Sequence, residues 1–171
     1  MLGTITNFLA NVADSSSRLA LGTILRALGD RHTSRMLNTP GLVIKAGGSA
    51  LVKTGASDCY AVAQGVLVKI AAATDMAALS GTVTNAKFNV YVYLIDREGT
   101  KTSAMGVEGA TLATMKWPPI PEGKAVIGFT IINPTGTGNF VGGTTALDDV
   151  TVVPNAVHVS LDSGFDPSLL P

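Results

Sequence analysis

Residue types able to do chemistry are few in this chain, and none is spaced for it. The Gly-rich stretch after Asn133-Pro134 is the first place to look, because glycines let a backbone approach phosphate closely. Gly136, Gly138 and Gly142 miss the G-x-G-x-x-G spacing, since Val141 stands at the third position, and no G-x-x-x-x-G-K-[ST] occurs. The stretch also follows its strand with Asn-Pro and more loop, where a phosphate site needs a helix start. Its expected role is that of a mobile or partner-ordered loop. His32 and His158 are remote from each other, and Cys59 has no second thiol, so no zinc pattern forms. Asp148-Asp149 is the only adjacent acid pair. It suits a turn cap better than a cation, with Ca²⁺, which takes carboxylate oxygens, left open. A Ser/His/Asp set has no G-x-S-x-G elbow behind it, and two histidines leave little for general acid–base work. No cofactor is implied, and an enzyme is not expected.

The elements around these residues read as mainly β. Val126 to Ile132 is a run of β-branched and aromatic residues that Asn133-Pro134 stops. Phe88, Val90, Val92 and Leu94 alternate with Asn89, Tyr91, Tyr93 and Ile95, giving a second strong strand that ends in the polar turn Asp96–Gly99. Tyr91 and Tyr93 share a face with Ile95 and are expected under the arm or a neighbouring subunit. Leu42–Ala46 and Ala50–Lys53 predict a hairpin across Gly47-Gly48, and Cys59–Ala63 with Val66–Ala71 another across Gln64-Gly65. Weaker strand pieces are expected at Thr111–Met115, Thr151–Val153 and Ala156–Val159, and Asp75–Leu79 is a helical turn or a loop. Many short strands with Gly/Pro turns predict an antiparallel β-sandwich or a small β-barrel.

Ahead of the sheet lies a helical arm. Ile5, Phe8, Leu9 and Val12 fall on one helical face, and Leu21, Ile24, Leu25 and Leu28 repeat that spacing. Asp14 to Ser17 offers N-caps for the second segment, and Gly29 a C-terminal stop. Asn38-Thr39-Pro40-Gly41 is a turn and the expected boundary. The chain thus divides into an arm over 1–40, a β-domain over 41–163 and a flexible tail over 164–171.

A chain of 171 residues is one domain by length and has core enough without staples. Only 14% of it is charged, against about 25% in an average soluble protein. Either a Gly/Ala/Thr-rich surface keeps it in solution by backbone and hydroxyl hydration, or much of the surface is hidden in an assembly. Twelve bases balance twelve acids overall. Residues 1–55 hold six bases and two acids, a net of +4, and the remainder holds six and ten, a net of −4. Such an arm suits an acidic partner surface and is too dilute for a nucleic-acid tail. One cysteine fits a protein made in a reducing cytosol. Met1–Ala13 has no basic n-region, so no signal peptide is read. The most apolar window, Ala61–Leu79, is broken by Gln64, Lys69 and Asp75, so no membrane span is read. Trp117, the lone tryptophan, is either a core plug or an interface anchor.

Three stretches carry a family resemblance. They are the arm with Arg26 to Arg35, the LNTPGLVIKAGGSALVKTG of Leu37–Gly55, and the IGFTIINPTGTGNFVGGTTALDD of Ile127–Asp149 followed by VPNAVHVS. Together they resemble virion proteins of tailed bacteriophages, above all small accessory head proteins of the decoration or cement class. The resemblance implies a compact β-domain on the capsid exterior, often as a homotrimer, with its arm pinned to the shell. It implies the major capsid protein and sister copies as partners, no direct nucleic-acid or membrane contact, and a place on the virion after synthesis in the host cytoplasm. By that analogy Arg18, Arg26, Arg31, His32 and Arg35 contact acidic capsid surface. Leu21, Ile24, Leu25, Leu28, Trp117 and Phe140 would then lie between copies. Another virion part (head fibre base, tail or baseplate module) and a receptor- or carbohydrate-binding module are the alternatives.

Overall fold

The structure is a computed structural model, and it describes residues 15–162. The arm's first apolar segment, Ile5 to Val12, and the tail over 164–171 lie outside the described residues. Among the described residues one helix, α1 (Ser15–Thr33), precedes eleven strands: β1 (Arg35–Met36), β2 (Val43–Ile44), β3 (Val52–Lys53), β4 (Cys59–Ala63), β5 (Val66–Ile70) and β6 (Thr82–Val83), then β7 (Asn89–Ile95), β8 (Lys101–Met105), β9 (Ala125–Ile132), β10 (Phe140–Val141) and β11 (Val157–Ser160). All pairings are antiparallel, in sheets ordered β11-β9-β7-β8, β1-β4-β5, β10-β6 and β2-β3. The protein is therefore mainly β with an N-terminal helix. The sheets do not close into a barrel.

The two strong strands of the sequence, β7 and β9, are the middle of the largest sheet. Every residue of β7 is buried. Tyr91, Tyr93, Ile95 and Ile127 pack on Cys59, Ala61, Val68 and Ile70 of the three-stranded sheet and on Phe140. Val90, Val92, Leu94 and Val126, on the other face, lie under Met115, Trp117, Ile120 and Leu161. Tyr91 and Tyr93 are thus covered by the domain itself, not by the arm or a second subunit. The register of β7 on β9 shifts between Tyr93 and Leu94, a bulge that brings Ile127 into the first cluster.

Several boundaries differ from the sequence reading. Helix α1 passes Gly29 and continues to Thr33, whose hydroxyl donates to the carbonyls of Gly29 (3.0 Å) and Asp30 (3.1 Å) and so holds the last turn. Residues 35–40, placed with the arm on sequence, belong to the β-domain. Arg35 and Met36 pair with Val62 and Ala61, and Met36 is in the core. Thr111–Met115 is a turn closed by Thr114 and Met115 N–H on the Thr111 carbonyl, and Thr151–Val153 is a turn closed on the Asp149 carbonyl.

The Gly/Thr loop is also corrected: the domain's own backbone orders it. Phe140 is fully buried with Tyr91 in an edge-on contact at 6.0 Å, and β10 pairs with β6. Thr137 N–H donates to the Thr151 carbonyl at 2.5 Å. A Cβ on Gly136 would run into that same carbonyl, so only glycine allows this approach. Asp148 accepts from Gly48 N–H at 3.0 Å, and Asp149 accepts from the Thr151 amide at 2.9 Å. The acid pair caps turns, as its spacing suggests.

The two buried tyrosines differ in one respect that stability measurements resolve. Tyr93 Oη is 3.1 Å from Thr130 Oγ1, whereas Tyr91 Oη is buried with no hydrogen-bond partner among the described residues. A buried hydroxyl left unpaired costs about 1–3 kcal/mol, and a paired one contributes about 1 kcal/mol. Tyr91→Phe is expected to raise unfolding free energy by about 1 kcal/mol in urea titration, and Tyr93→Phe to lower it by about as much.

Candidate functional site

The helix and its junction with the sheet hold the basic residues expected to meet a partner. At the junction Asp30 does the joining. One carboxylate oxygen accepts the Gly123 N–H at 2.9 Å and the other accepts the Ser34 hydroxyl at 3.3 Å. The Thr33 carbonyl accepts the Gly65 N–H at 3.0 Å. Gly123 has a φ of 82°, and a Cβ there would strike the Gln64 side chain, so the turn that offers its N–H requires glycine. The last turn of α1 therefore rests on the Gln64-Gly65 and Pro121–Gly123 turns, at one end of the sandwich.

At about 100° per residue, Leu21, Ile24, Leu25 and Leu28 lie roughly 120–180° around the helix from Asp30. The helix is tied to the domain at its last turn, and from Ser15 to Asp30 no side chain is fully buried, on the stripe or off it. Ile24 is 56% and Leu28 53% exposed, and Leu21 and Leu25 are half-buried. Leu19, off the stripe, is 76% exposed. Most helical stability in proteins comes from packing an apolar face, and Gly22 and Gly29 weaken this helix further, so its stripe calls for cover.

The basic residues of the arm are less well gathered. Arg18, Arg26, Arg31 and His32 are all on α1, but their positions spread around the helix instead of sharing a face. Arg26 and His32 are exposed and Arg18 is half-buried. Arg35 is exposed in β1, part of the sheet. One of the six apolar residues read as contacts between copies is corrected. Phe140 lies at 0% exposure in the core, because β10 turns it onto Tyr91. Trp117 is half-buried and meets Phe129 of β9 edge-on at 4.9 Å.

Sequence spacing does not announce the polar chain at the centre. Thr130 and His158 are cross-strand partners on β9 and β11, and Thr130 Oγ1 is 2.8 Å from His158 Nδ1 as well as 3.1 Å from Tyr93 Oη. Alternation along the strands puts these side chains on one face, a signal visible only once the register is known. Burial pushes the Tyr93 phenol up to about 12 and lowers the His158 imidazole, so both stay neutral. His158 Nε2 is buried with no partner among the described residues. The arrangement therefore favours a proton on Nδ1, donated to Thr130, over a bare N–H at Nε2. Burial likewise raises the Cys59 thiol, so it is a packed core residue and not a nucleophile. Among the described residues no group of three or more His, Cys, Asp or Glu could hold a metal, and no helix is long and apolar enough to cross a membrane. Comparison with protein-family models, curated proteins and solved structures finds no match to this chain.

The lowered His158 pKa makes stability depend on pH. The unfolded chain takes up the proton first, near the ordinary value of 6.5, so stability is full above it and falls as pH drops below it. Asp58 and Asp149, held below the ordinary carboxylate value by Lys69 and Thr151 respectively, lose their contribution in a separate and more acid window. Thermal unfolding followed from about pH 7.5 to about pH 5 is expected to show a falling midpoint, with a flatter profile in His158→Gln.

Proposed function

We propose that this chain is an accessory head protein of a tailed bacteriophage, of the decoration class, and that α1 is its attachment element. One observation carries the reading most directly: a helix anchored to the domain at its last turn, with Ile24 and Leu28 of its apolar stripe more than half exposed. A helix with that stripe and a basic surround fits a groove with an apolar floor and an acidic rim. In this reading the groove belongs to the major capsid protein or is shared between it and a sister copy. Arg26, His32 and Arg35 are exposed and supply rim contacts, which steer and orient more than they bind. Arg18 and Arg31 stand on the same helix.

Low charge supports the same reading. With 14% of residues charged, the domain has little to cover its surface, and that suits a protein packed among copies on a shell. Many copies held on one particle turn modest single contacts into firm attachment. The chain would be made in the host cytoplasm and act on the outside of the virion, with no part in nucleic-acid or membrane binding.

The test uses the double variant Ile24→Asp/Leu28→Asp. Both side chains are exposed, so unfolding free energy of the β-domain is expected to change by no more than about 0.5 kcal/mol. Co-sedimentation with heads of the phage that encodes the chain is expected to fall at least about tenfold, the effect of losing about 1.4 kcal/mol of binding. Wild-type protein that stays in the supernatant with intact heads defeats the reading.

A further inference from the structure

We propose that β5 is a pairing edge at which two copies of this chain join their three-stranded sheets, antiparallel, about a two-fold axis through Val68. The backbone register leads there. Gln64 and Gly65 have φ values of 51° and 77°, the left-handed pair of a two-residue hairpin turn. In such a hairpin the flanking residues, Ala63 and Val66, bond each other, and bonding then alternates along the ladder. The opposite strand confirms the phase. Tyr60 N–H donates to Asn38 Oδ1 at 2.8 Å, its carbonyl accepts Leu37 N–H at 2.9 Å, and Gln64 N–H donates to Ser34 Oγ at 3.1 Å. Tyr60, Val62 and Gln64 therefore bond on the β1 side. Leu67 and Lys69, paired with Val62 and Tyr60, must turn their N–H and C=O groups to the open side. Strand β5 is the end of its sheet, and no described residue bonds those groups.

Edges of this kind are normally guarded by proline, a bulge or a free charge. Strand β5 reads Val-Leu-Val-Lys-Ile with an unbroken register and no proline. Its one charge, Lys69, is neutralised by Asp58 at 2.6 Å. Leu67 is 63% exposed beside it, and Val66 45%. The other strand on that flank, β8, is half-buried throughout, with Ser103 bonded to the Ala78 carbonyl.

The fitting occupant is a second copy because the edge is complementary to itself. With Val68 on the axis, Leu67 of one copy faces Lys69 of the other, and the reverse, so four backbone hydrogen bonds form at once. Each exposed leucine then meets the aliphatic stem of the opposing lysine, and no unpaired like charges face each other. An edge of five residues is a small interface, weak between free molecules and strong between copies already held side by side. None of these residues is on α1, so the pairing is independent of the capsid attachment proposed above.

Amide hydrogen exchange and sedimentation velocity on the full chain, up to about 1 mM (the effective concentration that short tethers give), test it. The expected result is exchange at Leu67 and Lys69 that slows as concentration rises, together with growth in mass toward a dimer. Leu67→Pro removes an outward donor and no bond to β4, so it is expected to abolish both changes while Val66 and Val68 amides stay protected. Leu67→Lys, at an exposed site, is expected to weaken association about tenfold, and it serves if the proline variant does not fold. Leu67 and Lys69 amides that exchange equally fast across the range overturn the proposal. So does a mass increase that Leu67→Lys leaves unchanged. Because Ile24→Asp/Leu28→Asp leaves β5 intact, failure of capsid attachment in that variant does not alter the exchange pattern, and the two readings fail separately.

Discussion

The constraint on which the rest depends is that β7 is buried on both faces. An antiparallel sheet can leave one side to water, but Tyr91, Tyr93 and Ile95 on one face and Val90, Val92 and Leu94 on the other leave none. Two further layers must therefore be built. The three-stranded sheet, the β6–β10 pair and Phe140 supply one, and the segment holding Met115, Trp117 and Ile120 supplies the other. Much of the irregular chain is accounted for by this need. The Gly/Thr loop, poor in side chains to pack, earns its order by delivering Phe140 and Leu147 to the core.

With so much apolar chain committed to its own core, what remains outside is informative. Helix α1 contributes no buried side chain from Ser15 to Asp30, although its stripe is as apolar as many core faces. The reason is local. Asp30 bonds the Gly123 amide and Ser34, so the helix is held to the domain at its last turn and not along its length. A carboxylate accepting a backbone N–H is among the stronger hydrogen bonds, so that end is held by more than chance packing.

How much of this was legible beforehand follows from the physics of each element. β7, β9 and both hairpins read correctly because alternation and turn residues are local signals, and local signals survive in one dimension. Gly29 misread as a stop because the bonds that extend the helix come from Thr33 and from turns far along the chain. Phe140 and the Gly/Thr loop misread for a related reason: composition suggested mobility, while the restraint comes from Gly81, Thr151 and Val152. The stripe on α1 is visible as periodicity, yet the helix's attachment is not, since Asp30 gives no sign in sequence that its partner is Gly123. The basic residues misled in part, because counting charge says nothing about whether a helix gathers it on one side.

The charge-poor surface and the open β5 edge are consistent with one another on physical grounds. A free monomer that left Leu67 bare beside unpaired backbone groups would invite indiscriminate pairing, and a guarding lysine is the usual remedy. Here the lysine is present but cancelled: Asp58 draws its ammonium to 2.6 Å and removes the repulsion that would keep a second edge away. The aspartate sits just before β4, so the strand that pairs with β5 also disarms it. An edge weak enough to leave molecules separate in dilute solution, and permissive once they are neighbours, needs both halves of that arrangement. Charge removed locally by pairing has the same effect as charge scarce globally, since each lowers the cost of bringing two copies of one surface together.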